Sequence, residues 1–260
     1  MEQFRPILEP SRIPTDPPLI SCLMVSRGCL FPARFAIGCY QRQTWPHREL
    51  LIVCGVPGNQ LADYVAALGD PTIRFVSTDP ASLGELRNVS VDAARGSLLC
   101  QWDDDDLYHA QRLEFQHEQL AASAAAAHFL RRLVVWWPAQ RRLAISKRRV
   151  WEGSMLVRRE ALGRYLPIGR REDTRAVGDL RQHRDRIALT DEPLAYCYII
   201  HGSNTSGPGH VARLFATASE TVAAEEYEDR LKELAGVWPM HAYQDALHSS
   251  EQSEVSRTRR

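Results

Sequence analysis

Four consecutive aspartates, Asp103 to Asp106, follow an apolar run, Ser97-Leu98-Leu99-Cys100-Gln101-Trp102. The run has the length and make-up of a buried strand, so a core element ends in a cluster of negative charge. Four carboxylates held together repel one another unless something positive offsets them. A hard divalent cation does this well, because it takes oxygen ligands and shares them with phosphates. A solvated acidic loop, or aspartates capping the next helix, would use the same four letters. The rest of the chain bears on the choice.

Apolar strand-like runs at 19–25, 49–53, 73–76 and 97–102 alternate with helical patterns at 31–43, 61–68 and 83–94. Gly69 stands where a C-cap glycine would. Regular alternation predicts a parallel sheet with helices on both faces. Ligands of such sheets collect at the C-terminal ends of the strands. The aspartates lie at one such end, and Ser26-Arg27 at another.

Beyond residue 108 the alternation is lost. Helices are predicted at 111–127, 159–165 and 174–184, and strands at 133–137, 143–145, 155–157, 187–189 and 194–200. The fold class predicted is therefore α/β, with a Rossmann-like parallel-sheet N-terminal half (18–108) and a mixed α/β second half (109–209). Residues 1–17, rich in proline, read as an extended arm. Residues 210–248, rich in Ala and Glu, read as a helical extension, and the polar stretch 249–260 as a disordered tail.

The composition, 44% hydrophobic and 25% charged, is that of a water-soluble globular protein. No apolar stretch is long enough to span a membrane, and no basic-then-apolar leader opens the chain. The expected location is cytoplasmic. The six cysteines (Cys22, Cys29, Cys39, Cys54, Cys100, Cys197) form no CxxC pair or zinc spacing and read as free, mostly buried thiols. Net charge is zero but unevenly spread: residues 131–186 carry 16 basic and 6 acidic side chains. That basic stretch suits an anionic partner: a phosphorylated acceptor, an acidic glycan, or the inner face of a membrane. Solvated surface arginines would look the same. No helix-turn-helix, zinc-finger or RNA-binding signature is present, which argues against nucleic acid.

Three further places hold chemistry-bearing residues. Arg87, in Gly84-Glu85-Leu86-Arg87-Asn88, opens the helix before the acidic strand, and a guanidinium matches phosphate geometry. Glu172-Asp173 precedes a helix. Asp173 would serve there as an N-cap or as a general base oriented by Glu172. His201, in His201-Gly202-Ser203-Asn204, leaves the last strong strand as a metal ligand, a phosphate donor or a structural turn residue.

In this order the motifs resemble those of the family 2 glycosyltransferases, inverting, nucleotide-sugar-dependent enzymes of GT-A fold. The resemblance covers about residues 18–208. It rests on Pro18-Leu19-Ile20-Ser21-Cys22, on Gln41-Arg42-Gln43-Thr44-Trp45-Pro46 with the strand after it, on Arg87-Asn88 with Ala93-Ala94-Arg95-Gly96, on Trp102-Asp103-Asp104-Asp105-Asp106-Leu107-Tyr108, on Glu172-Asp173 and on His201-Gly202-Ser203-Asn204. It implies a GT-A-like domain over 18–209 with a nucleotide-sugar half and an acceptor half. Asp103 and Asp105 would hold Mn²⁺ or Mg²⁺. Asp104, Asp106, Ser26, Arg27, Arg87 and His201 would contact the donor. Asp173, with Glu172, would act as base toward a hydroxyl acceptor, either a glycan or lipid-linked. Gly153-Ser154-Met155 would line the sugar pocket. The family usually carries an Asp for the nucleotide base after its second strand; here the chain reads Val53-Cys54-Gly55. A nucleotidyltransferase would also use an acidic strand tip, but with an early phosphate loop and lysine, and the first lysine here is Lys147. A non-catalytic sugar-nucleotide or glycan-binding partner of another transferase fits the Cys54 departure.

Overall fold

The computed structural model describes residues 13–169, 172–181, 186–201, 204 and 207–258. The first hundred residues form the alternating core that their pattern predicts. Its elements are β1 (Ile20–Ser26), α1 (Leu30–Gln41), β2 (Arg48–Cys54), α2 (Gln60–Leu68), β3 (Ile73–Ser77), α3 (Leu83–Ala93) and β4 (Leu98–Gln101). Local chemistry fixes their ends. The Asn59 side chain caps α2 by accepting the Ala62 N–H at 3.0 Å, and Gly69 closes it in the left-handed region at φ 60°. Ser82 and Glu85 form a reciprocal capping box at the start of α3. In register, β1 pairs parallel with both β2 and β4 (Cys22 opposite Leu50 and Cys100), so the first strand is central.

The second half contributes β5 (Leu107–Tyr108), α4 (Arg112–Ala121), β6 (Ala127–Leu130), β7 (Val134–Trp137), β8 (Arg142–Ile145), β9 (Leu156–Arg158), α5 (Glu172–Arg181), β10 (Ile187–Thr190) and β11 (Tyr196–Ile199). The C-terminal part adds α6 (Pro208–Ala216), β12 (Glu220–Thr221), α7 (Tyr227–Leu234) and α8 (Met240–Thr258). A seven-stranded sheet runs β10-β6-β9-β4-β1-β2-β3, with β9 antiparallel to β4 and β6. A five-stranded sheet runs β12-β8-β7-β11-β5. The four aspartates are the turn between β4 in the first sheet and β5 in the second. No helix among the described residues is long and apolar enough to cross a membrane.

Three expectations are corrected. The helix predicted at 111–127 stops at Ala121; residues 122–126 turn, and Ala127 opens β6, which is fully buried between β9 and β10. Packing overrides alanine's helix preference there. The helix predicted at 159–165 is a single 3₁₀ turn at Arg159–Ala161. Asn88 holds the chain beyond it open: its amide donates to Tyr165 O and its oxygen accepts the Tyr165 N–H, both at 2.9 Å. The C-terminal residues are not an appendage. Tyr227, Leu231, Trp238, Met240 and Tyr243 are buried in the same core as Trp102 and Trp136. From that anchorage α8 runs on to Thr258, through most of the stretch whose composition predicts disorder. Residues 1–12 of the predicted arm lie outside the described residues.

The Gln-Thr-Trp-Pro turn is structural. Buried Gln43 donates to Cys39 O at 3.1 Å and His109 O at 2.7 Å, and accepts the Leu113 N–H at 3.1 Å. It thereby ties the end of α1 to the start of α4. Trp45, 1% exposed, donates its indole N–H to Pro18 O at 3.2 Å. Gln43→Ala strands the Cys39 carbonyl and the Leu113 N–H in the core, while His109 O keeps the Arg112 N–H, so urea denaturation is expected to show a loss of about 2 kcal/mol.

Candidate active site

The C-terminal ends of β1 and β4 bring the acidic turn beside Ser26. The Ser26 hydroxyl donates to Asp104 Oδ2 and itself accepts the Gly28 N–H at 3.0 Å. Gly28 sits at φ 80°, a conformation that favours glycine, and a Cβ there would meet Asn59 at 2.9 Å. Arg27 is exposed on the same loop and makes no hydrogen bond or ion pair among the described residues.

The four carboxylates have different surroundings. Asp106 is 1% exposed; it accepts the Ile199 N–H at 2.8 Å and the Tyr196 hydroxyl. It therefore clamps β11 to the turn and does not face a donor, a correction to the role expected for it. Burial, followed by the charges of Asp105 and Asp103, pushes its carboxyl well above the usual range. Asp105 faces His201, whose Nε2 lies 2.9 Å from Asp105 Oδ2. The His201 backbone N–H donates to Asn204 Oδ1 at 2.6 Å, and Asn204 Nδ2 donates to Ile199 O at 3.0 Å, a local lock on the strand exit. Gly202 and Ser203 of that motif lie outside the described residues. Asp103 takes the Gln101 amide at 3.2 Å, the Tyr196 hydroxyl at 3.4 Å and Arg87 at 3.4 Å.

Arg87 and Glu172 also differ from expectation. Arg87 is 8% exposed and Glu172 2%, and the guanidinium Nε meets Glu172 Oε1 at 2.7 Å. Arg87 is thus a bridge from α3 to Asp103 and to α5, not a free phosphate donor. Glu172 is its buried partner, not the residue that orients Asp173. Burial alone would lower the Arg87 pKa; the surrounding acids, led by Asp103, outweigh it and raise it. Asp173 falls in the first turn of α5, half-buried, close enough for its charge to oppose ionisation of Asp103. Close packing makes the bridge possible: a Cβ on Gly84 would lie 1.7 Å from Leu166 O, so only glycine lets α3 approach the segment that leads into α5. Gly153 abuts the acids likewise, with a Cβ there 3.1 Å from Asp103 Oδ2.

Two site residues have no motif in the sequence. Arg112, at the start of α4, is fully buried beneath the acidic turn. Its guanidinium lies 5.2, 4.5 and 5.1 Å from the rings of Trp102, Tyr108 and Tyr196 and donates to Gln101 O at 3.1 Å. Tyr196 joins Asp103 and Asp106. Cys54, in place of the expected base-binding Asp, has no exposed surface. Among the described residues no group of three His, Cys, Asp or Glu side chains is arranged to hold a metal alone.

No family model matches the chain. The glycosyl transferase of Escherichia coli (strain K12) named for colanic acid biosynthesis, WcaA, is 35% identical over 99 residues, which are 37% of this chain and 36% of that protein. The match thus spans about a third of WcaA. Among solved structures, Staphylococcus aureus TarS residues 1–349 superpose with a TM-score of 0.54 at 12% identity, over 82% of this chain and 69% of that fragment. The complexes of the same fragment with UDP (TM-score 0.56, 12% identity, 84% and 70% covered) and with UDP-GlcNAc (0.55, 11%, 84% and 72%) superpose equally well. The chain shares the TarS fold. That is the mixed α/β, GT-A-like architecture expected from the sequence.

Two outcomes follow from the charges. Burial, then the Asp105 charge, pushes Asp104 up to about 7, whereas an unfolded Asp ionises near about 3.9. Between those values the folded chain binds more protons, so this residue imposes a stability penalty that is absent at lower pH and grows as pH rises through the window. Thermal melts without metal are expected to fall less over that window in Asp104→Asn than in the wild type; equal slopes would clear Asp104 of the effect. Arg87→Met leaves Glu172 buried and unpaired, which costs about 3–5 kcal/mol. In denaturant titrations the double variant Arg87→Met/Glu172→Leu should recover most of that loss.

Proposed function

We propose that the chain is a glycosyltransferase that moves a sugar from a nucleoside diphosphate donor to an acceptor hydroxyl, with inversion and with a divalent cation. The observation that carries the reading is the Arg87 bridge. It ties an acidic turn at the C-terminal end of a parallel strand to the helix start that bears Asp173. An acid cluster suited to a diphosphate–metal pair and a separate carboxylate for a hydroxyl are the two parts that such a transfer needs. The likeness to WcaA, named for glycosyl transfer in colanic acid synthesis, and to TarS, solved with UDP and UDP-GlcNAc, supports the same class. It points to a nucleotide-sugar donor and to surface polysaccharide or glycoconjugate synthesis. A cytoplasmic enzyme, at the inner membrane face if its acceptor is lipid-linked, belongs to the same proposal.

The donor set fits the cation. Asp103 and Asp105 offer hard oxygens, both half-buried, in a turn whose carboxylates repel one another. With fewer than three protein ligands together, the cation would complete its shell with diphosphate and water oxygens. Mn²⁺ or Mg²⁺ held there would neutralise charge on the leaving diphosphate. His201 orients Asp105, and Ser26 orients Asp104. Asp104, held by Ser26, would accept a hydrogen bond from a ribose or sugar hydroxyl. Asp173 takes the acceptor's proton as its oxygen attacks the anomeric carbon from the face opposite the diphosphate. One displacement at that carbon inverts its configuration.

The test separates binding from turnover. Thermal melts with a panel of nucleoside diphosphates, with and without Mn²⁺, should show a metal-dependent rise for one nucleotide, absent in Asp105→Ala. Asp173→Asn should keep that rise while sugar transfer falls roughly 10²–10⁴-fold, the usual contribution of a general base. Full turnover in Asp173→Asn would overturn its assignment as base. Absence of any nucleotide effect on the folded protein would favour a non-catalytic binding role.

A further inference from the structure

Much of the basic stretch 131–186 has structural partners. Arg132 and Arg148 both pair with Asp191, at 2.5 and 2.9 Å, and Arg141 with Glu228 at 2.6 Å. Arg164 pairs with Asp92 at 2.5 Å, and Arg159 donates to Gly96 O and Val91 O. A different set converges on a pocket of about 130 Å³ between the loop after β8 and helix α6. Lys147, Arg149, His210 and Arg213 line it, with Trp151 as an aromatic wall. Lys147 and Arg213 make no ion pair among the described residues, and Arg149 has only Glu152, at 3.7 Å. Positive charge gathered in a concave site without matching acids favours an anionic ligand.

The wall is built rather than incidental. Trp151 is 4% exposed, and its backbone N–H is fixed on Leu130 O at 3.3 Å. The Arg149 guanidinium carbon lies over the Trp151 ring, 3.8 Å from the centroid. The buried Trp151 indole N–H has no partner among the described residues, a donor still to be satisfied. Burial, then the charges of Arg149 and Arg213, holds His210 below its ordinary pKa, so near neutral pH it adds a donor without adding repulsion.

The residues that line the pocket flank those of the candidate active site in sequence. Two residues beyond Trp151, Gly153 abuts Asp103. On the other side, α6 follows closely on His201, which faces Asp105. We propose that this pocket binds a phosphate group, a phosphomonoester or phosphodiester, carried by the acceptor. Assignment to the acceptor rests on the glycosyltransferase reading; the binding of phosphate does not. The phosphate has two sources, a lipid headgroup or a soluble phosphorylated glycan or polyol, and the cations read both alike.

The test is calorimetric titration of the full chain with sn-glycerol 3-phosphate at low ionic strength. Alongside it runs co-sedimentation with phosphatidylcholine vesicles, with and without phosphatidic acid. Arg149→Gln/Arg213→Gln, both changes on accessible side chains, should weaken binding of the responding probe about tenfold or more. Its metal-dependent nucleotide binding should stay unchanged. Vesicle capture that is lost in the double variant assigns the phosphate to lipid. Glycerol phosphate binding without capture assigns it to a soluble acceptor. Wild-type protein that binds neither probe, or a double variant that binds as well as the wild type, would overturn the proposal. Phosphate binding in a chain that binds no nucleoside diphosphate would overturn the transferase reading and leave the pocket standing.

Discussion

One guanidinium joins the two halves of this site. Arg87 leaves the parallel-sheet half on α3, and its partners are Asp103 on the acidic turn and Glu172 at the start of α5. Arg87 and Glu172 are both largely buried, and a buried charge without its partner is costly enough to favour one arrangement. The position of Asp173 follows from that pairing, because it is the next residue on the same helix turn. Gly84 and Asn88 serve the same contact, one by leaving room and the other by gripping the Tyr165 backbone. A single face of α3 thus sets the distance between the acid cluster and the carboxylate that would work beside it.

The four aspartates divide their labour. Asp106 faces inward and holds β11, while Asp104 is held by Ser26. Asp103 and Asp105 remain half-exposed, with Arg87 and His201 beside them. Beneath the turn, Arg112 supplies a cation that pairs with no carboxylate among the described residues and lies among three aromatic rings. The repulsion that made the run of aspartates conspicuous is offset on one side by the Arg87 guanidinium, whose charge favours the ionised form of Asp103.

Period and composition made the first four strands, three helices and the position of the acidic turn legible, because those signals are local. The same logic failed at 122–127, where alanines favour a helix but the chain turns and Ala127 enters a buried strand. It failed again at 159–165, where Asn88, distant in sequence, dictates an extended path. Site residues followed the same division. The acids were visible as a run; Arg112, Tyr196 and the Arg87–Glu172 pair were not, since their importance lies in contacts across 85 or more residues or in burial. Motifs taken as functional also proved partly architectural. In Ala93-Ala94-Arg95-Gly96 the backbone N–H groups of Arg95 and Gly96 are satisfied by Glu49 and Ser21, at the opposite end of the sheet from the acids.

The acidic turn is also the link between the two sheets. On one side β4 is locked in register with β1 and β9; on the other, Leu107 and Tyr108 are locked against Cys197 and Tyr196. Its length is therefore fixed from both directions. One residue inserted or deleted there would turn every following side chain of β5 to the wrong face and pull Asp106 from β11. Substitutions within the turn change only what each carboxylate touches. Insertions and deletions among relatives of this chain should accordingly spare the turn and accumulate in connections that belong to one sheet only.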